Sequence, residues 1–173
     1  MSSSVQFIVE PLDPQKHQRD GFDCGVDALN LFLRTQARRE MEAGTTVCFV
    51  MVPELVPHQI AGFYTLSAAT ILRAELPESL TRRLPRYPEL PATLLGRLAR
   101  SLDFKQQGIG SRLMMSALSR ALEGARQVAS WAVVTDPKDN EARRFYESFG
   151  FRVLTADRLF IPMKDVAEQL NAR

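Results

Sequence analysis

Apolar positions along this chain follow two periods, and the switches between them mark out its elements. Short apolar or alternating runs predict strands over 5–9, 47–52, 60–72, 94–102, 128–135, 151–154 and 159–163. Helical spacing appears at Leu29, Phe32, Leu33, Gln36 and Ala37, with Asp23 or Asp27 able to cap the start and Gly44 to end it. It returns at Ile109, Leu113, Ala117 and Ala121, flanked by Met114 and Leu118. A third stripe, Ala142, Phe145, Tyr146 and Phe149, precedes Gly150, which suits a left-handed cap. Gly62 marks a bulge or bend in its strand. Four prolines between Arg73 and Pro91 (Pro77, Pro85, Pro88, Pro91) bar a long regular element there, leaving a loop that serves either recognition or mere connection. Strands and helices alternate through the second half. The expected fold class is therefore α/β, with a mixed central β-sheet flanked by helices on both faces. At 173 residues, one domain over 1–173 accommodates it.

Composition narrows the setting. No apolar run approaches the roughly 18–20 residues that span a bilayer, so no membrane role is expected. The opening MSSSVQF lacks a charged-then-apolar leader, which makes the cytoplasm the expected location. Cys24 and Cys48 read as buried or inert thiols in preference to a disulfide, and no metal site is expected. Net charge is only +2, yet 18 of the 22 basic residues are Arg. From Arg73 to Arg112 eight basic residues face four acidic ones. Guanidinium groups match phosphate with two-pronged geometry, so the surplus fits a phosphate-bearing cofactor, a nucleic-acid backbone or a solvated surface.

The sharpest chemical signal is KQQGIGSR, Lys105 to Arg112, lying between a predicted strand and a predicted helix. A glycine pair at such a junction lets backbone N–H groups close on a phosphate facing the helix N-terminus. No Lys-Ser or Lys-Thr follows these glycines, which argues against an NTPase-type phosphate loop. Leu113 stands where a dinucleotide fingerprint needs a third small residue. What remains is a turn that suits the diphosphate of coenzyme A.

Three blocks, in order, resemble the Gcn5-related N-acetyltransferase (GNAT) superfamily: KQQGIGSRLMMSAL, a buried strand containing Trp131, and DNEARRFYESFGF from Asp139 to Phe151. The N-terminal FDCGVDALNLFLRTQARRE, with IAGFYTLSAATI and RLPRYPELPATLLGRLARSLDFK, is similar to the GNAT toxins of toxin–antitoxin modules, over roughly residues 7 to 163. The resemblance implies an acetyl-CoA-dependent N-acetyltransferase. It places Leu98, Ala99 and Arg100 beside the cofactor arm and Gln106, Gln107, Gly108, Ile109, Gly110 and Ser111 around the diphosphate. Lys105 stands where the family has Gln or Arg, and Asp139 where many members have Asn, each as a cofactor-binding candidate. Arg112 either reaches phosphate or is solvated.

Tyr146 matches the family's catalytic tyrosine. A phenol near pKa 10 can protonate a departing thiolate near 8.5; without the resemblance, the residue is one more aromatic on an apolar face. The chain has two histidines, His17 and His58, and neither falls in a matching block, so no general base is evident. An α-amine, with a pKa of about 7.7–8.0, needs one less than a lysine does. The resemblance further implies aminoacyl-tRNA as acceptor, translation arrest, a homodimer, and a ribbon-helix-helix antitoxin through which alone DNA is bound. Arg73, Arg82, Arg83 and Arg86, with Arg38 and Arg39, are candidates for a face that tracks tRNA phosphates. Two alternatives stand beside this: acetylation of a small-molecule, peptide or protein amine, and a co-repressor role in an antitoxin–DNA complex.

Overall fold

The computed structural model describes residues 4–172. Strand β1 (Phe7–Pro11) is followed by α1 (Asp27–Leu31), a π-helical turn (Phe32–Gln36) and α2 (Ala37–Ala43). Then come β2 (Val47–Pro53), β3 (Gly62–Leu72), α3 (Glu78–Thr81) and β4 (Glu89–Arg100). The second half runs α4 (Ile109–Ala125), β5 (Ala132–Thr135), α5 (Asn140–Glu147), β6 (Arg152–Val153), β7 (Leu159–Pro162) and α6 (Met163–Asn171). Seven strands follow the order β1-β2-β3-β4-β5-β7-β6. β1 with β2, β2 with β3, β5 with β7 and β6 with β7 pair antiparallel, whereas β4 and β5 pair parallel. The sheet is therefore mixed, as the alternation of strands and helices predicts.

Contacts group the chain into two compact units, residues 1–67 with 96–117 and residues 68–95 with 118–173. In the first, Phe63 of β3 meets Phe22 edge-on at 5.5 Å and stacks with Phe32 at 6.1 Å. Leu33, Val50 and Val52 close around them with no more than traces of exposed surface. The half-buried Arg97 guanidinium lies 3.7 Å from the Phe32 ring centroid, a cation–π contact. Cys48 is buried beside this core, and desolvation pushes its thiol up to about 12, with nearby Arg97 only partly offsetting it. Both cysteines are free. In the second unit, Ile71, Leu90, Ala132, Val134 and Phe160 form the core, with Trp131 packed against it.

Several boundaries differ from expectation for identifiable reasons. β4 begins at Glu89, because Pro91 lacks an N–H but still offers a carbonyl, which accepts from Trp131 N at 2.8 Å. β5 is shorter than expected. Gln127 and Val128 donate to the Gly124 carbonyl instead, extending the end of α4 and leaving Val128 exposed. Gly62 makes no bulge, since pairing runs in register from Met51↔Gly62 to Val47↔Leu66. Its missing side chain makes room instead: a Cβ there would lie 2.6 Å from Leu113 Cδ1 and 2.9 Å from the Ala99 carbonyl oxygen. Asp23 caps no helix; its Oδ1 accepts from Gly25 N and Asn30 Nδ2 and ties the loop before α1. Helix α6 was not expected, although Met163 and Val166 supply a short buried stripe.

Candidate active site

The glycine turn is built from buried anchors on both sides. Ser101 N donates to the Ala61 carbonyl at 2.8 Å, and Ser101 Oγ accepts from Asp103 N, starting a short 3₁₀ turn (Leu102–Phe104). Phe104 is buried edge-on against Phe7 at 5.9 Å. Beyond the turn, Ile109 and Leu113 are fully buried and pin the first turns of α4 close to β3 at Gly62. Between these anchors the backbone takes two left-handed steps, at Gln106 (φ 64°) and Gly108 (φ 68°). Among the described residues Gln106 is the non-glycine at positive φ, a conformation that costs a side-chain-bearing residue energy and is concentrated at ligand sites.

Left-handed steps in such a turn aim successive N–H groups into a concave nest, which favours an anion. The α4 N-terminus follows, with no acidic residue in its first turn to compete for the same donors. A Cβ on Gly108 would meet nothing within 4 Å, so the backbone there is open to close approach. Lys105, Gln106, Gln107, Gly108, Ser111 and Arg112 are exposed, and Gly110 is half-buried. Ile109 can offer only its backbone, because its side chain belongs to the core. The turn therefore fits a diphosphate. Arg112 sits 5.4 Å from the Phe7 ring centroid. On β4, Ala99 is buried, and Leu98 and Arg100 are half-buried.

Tyr146 lies on α5 in the second unit, 7% exposed and edge-on to Phe151 at 5.6 Å. Burial pushes its phenol above the ordinary tyrosine value, and a hydrogen bond with Thr135 offsets part of that rise. Thr135, buried at the end of β5, donates from Oγ1 to the Leu95 carbonyl at 2.9 Å. The phenol is thus held protonated and oriented, which suits an acid and excludes a phenolate base near neutral pH. Asp139 is the N-cap of α5, its Oδ1 accepting from Ala142 N at 2.8 Å. Its carboxylate is engaged in starting the helix that carries Tyr146.

The arginines divide by what they hold. Arg73 donates to the carbonyls of Thr81 (2.7 Å), Pro85 (2.6 Å) and Leu84 (3.4 Å), so it orders the proline-rich loop. Arg38 pairs with Glu42 at 2.8 Å. Arg39, Arg82, Arg83 and Arg86 are exposed, and none of their side chains has an ion pair or hydrogen bond among the described residues. Buried His17 bonds Glu10 and the Asp13 backbone N–H, a structural role. Sequence reasoning missed Thr135, because a threonine inside a buried strand has no distinguishing pattern.

A mixed sheet whose glycine turn presents an anion nest at the N-terminus of α4 fits an acyl-CoA-dependent acyltransferase. A profile described as the acetyltransferase (GNAT) domain matches residues 48–153, and the chain belongs to that family. It is an acetyl-CoA-dependent N-acetyltransferase. The chain is 32% identical to a tRNA-acetylating toxin of Mycobacterium tuberculosis (strain ATCC 25618 / H37Rv), over 83% of this chain and 85% of that protein. Two solved structures are similar over nearly the whole length. One is AtaT complexed with acetyl-methionyl-tRNAfMet (28% identity, TM-score 0.86, 94% of this chain and 98% of that one). The other is a mutant AtaT toxin bound to the C-terminus of the antitoxin AtaR and acetyl-CoA (26% identity, TM-score 0.81, 96% and 99%). No helix among the described residues is long and apolar enough to cross a membrane.

Proposed function

We propose that this protein, acting as one domain over residues 1–173, is a toxin that acetylates the α-amine of aminoacyl-tRNA. It thereby halts translation in the cytoplasm, and a cognate antitoxin neutralises it. The observation that carries the acetyl-CoA half of the reading is the left-handed pair at Gln106 and Gly108, which opens an unobstructed backbone nest onto a helix start free of acidic residues; similarity to a tRNA-acetylating toxin supports the acceptor half.

Bound there, acetyl-CoA supplies an acetyl group activated as a thioester. Lys105 to Ser111 hold the diphosphate, chiefly through main-chain N–H groups, and Arg112 adds a cation. The backbone of Leu98, Ala99 and Arg100 lines the arm, and an N–H there opposes charge growing on the carbonyl oxygen. Such preorganised donors are worth about 3–4 kcal/mol of transition-state stabilisation. Tyr146 holds its proton at the phenolic oxygen and passes it to the departing sulfur, while the proton lost by the amine as the amide forms goes to solvent, from which the phenolate is later reprotonated. As the phenol gives up its proton, the Thr135 hydroxyl turns from the Leu95 carbonyl to donate to the phenolate. Arg82, Arg83, Arg86 and Arg39 contact tRNA phosphates; Arg73 acts at one remove, by ordering the loop. The antitoxin is of the ribbon-helix-helix type, DNA is met only through it, and the free toxin is a homodimer.

Incubating the purified protein with labelled acetyl-CoA and a pool of charged tRNAs tests the reading. Label is expected on the amino acid of the ester-linked aminoacyl group. Label on free amino acids or peptides, with none on charged tRNA, overturns it.

A further inference from the structure

The second unit contains a cavity of about 530 Å³ that the acetyl-transfer chemistry does not use. Its apolar lining includes Leu80, Leu84, Trp131, Pro162 and Met163. Arg82, Arg83, Arg152 and Lys164 also line it, against the single acid Asp165. Arg152 Nη2 lies 2.8 Å from Asp165 Oδ2, so that acid is already matched. Arg82, Arg83 and Lys164 are exposed, and among the described residues no side-chain partner engages them. Half-buried Trp131 stacks on Phe160 at 6.1 Å, which fixes the indole as part of the lining.

Three uncompensated cations around an apolar lining with an immobilised indole match a ligand that carries flat rings and phosphates together. An acidic peptide would satisfy the cations but bring no flat face to the indole. The volume lies within the usual range for a small-ligand site, roughly 300–1,000 Å³. Trp131 stands just before β5, and Thr135, the partner of Tyr146, ends it. Strand rise puts these two positions about 13 Å apart, so an occupant of the cavity need not contact the phenol.

We propose that this cavity is a subsite for an unpaired nucleotide of RNA, its base against the Trp131 lining and its phosphates on Arg82, Arg83 and Lys164. The inference rests on the tRNA reading for its choice of RNA, and adds a sequence-tolerant anchor away from the reacting amine.

Trp131 is the chain's single tryptophan, so its fluorescence reports on the cavity directly. The full-length protein is titrated with deacylated tRNA, with single-stranded oligocytidine and with a polyglutamate peptide. Both RNAs are expected to shift Trp131 emission saturably, with affinity falling as salt rises. Lys164→Gln and Arg83→Ser should each weaken RNA binding about tenfold while acetyl-CoA affinity stays unchanged. RNA binding that leaves Trp131 emission unaltered, or polyglutamate shifting it as well as RNA does, overturns the proposal. Acetylation of charged tRNA is measured on the same samples. Acetylation that proceeds with no emission change and with an unaltered KM in Lys164→Gln defeats the subsite alone. An RNA-dependent emission change, lost in the variants but without acetylation of any charged tRNA, upholds the subsite and defeats the toxin reading.

Discussion

Thr135 Oγ1, at the end of β5, donates to the Leu95 carbonyl at 2.9 Å, and the same side chain draws the Tyr146 phenol on α5 part of the way back from the rise that burial causes. A strand-anchored neighbour thus tempers the rise of a buried phenol that keeps its proton at neutral pH. Tyr146→Phe is expected to lower kcat by roughly 10²–10⁴, the usual worth of a positioned acid, with little change in acetyl-CoA KM. Single-turnover acetyl transfer measures it, and an unchanged rate would remove Tyr146 from the chemistry.

Thr135→Val keeps the volume but removes the hydroxyl that holds the phenol down. The phenol, already raised by burial, should rise further, and kcat should fall about tenfold. The pH profile gives the sign. An alkaline limb due to Tyr146 should lie above the ordinary tyrosine value of about 10, and move to still higher pH in the variant. A limb that moves to lower pH contradicts the assignment.

The same shift bears on folding. Below about pH 10 both folded and unfolded chains keep this proton; above it the unfolded chain releases it first. Stability contributed by the buried phenol is thus lost as pH climbs from about 10 through the raised folded value. Denaturant melts of wild type and Tyr146→Phe across that range should converge as the wild type weakens.

Gly108→Ala separates conformation from packing, since open space surrounds the position and only its φ of 68° is at issue. Relaxing or straining that step costs about 1–2 kcal/mol, and should raise the acetyl-CoA Kd about tenfold with a small fall in Tm. Calorimetric titration reads it. Gly62→Ala is the converse case, where overpacking against Leu113 and the Ala99 carbonyl should cost about 1–3 kcal/mol of stability.

Arg73→Ala removes a cation that three loop carbonyls share. Hydrogen bonds to a charged group contribute about 1.5–3 kcal/mol each at most, so the loop carrying Arg82, Arg83 and Arg86 should loosen without global unfolding. Trypsin cleavage after those residues is expected to accelerate several-fold while the Tm moves little. Equal cleavage rates would show that the loop is ordered by something else.

The sequence by itself determined the elements whose signal is local. The turn was legible because Gly108 and Gly110 sit between a strand pattern and a helix stripe, although the left-handed step at Gln106 was not, and Gly44 ended its helix as expected. Tyr146 stood out only through a longer resemblance, since period alone does not separate its phenol from Phe145 or Phe149 beside it. Tertiary structure decided what each polar group is free to do. It bound Arg73 into its loop, Arg38 to Glu42 and Asp139 to the start of α5, while leaving Arg82, Arg83 and Lys164 open around a cavity. It also made Thr135 the partner of Tyr146 and Gly62 a clearance for Leu113. Those outcomes depend on residues far apart in the chain, where spacing carries no information and only packing settles which donor meets which acceptor.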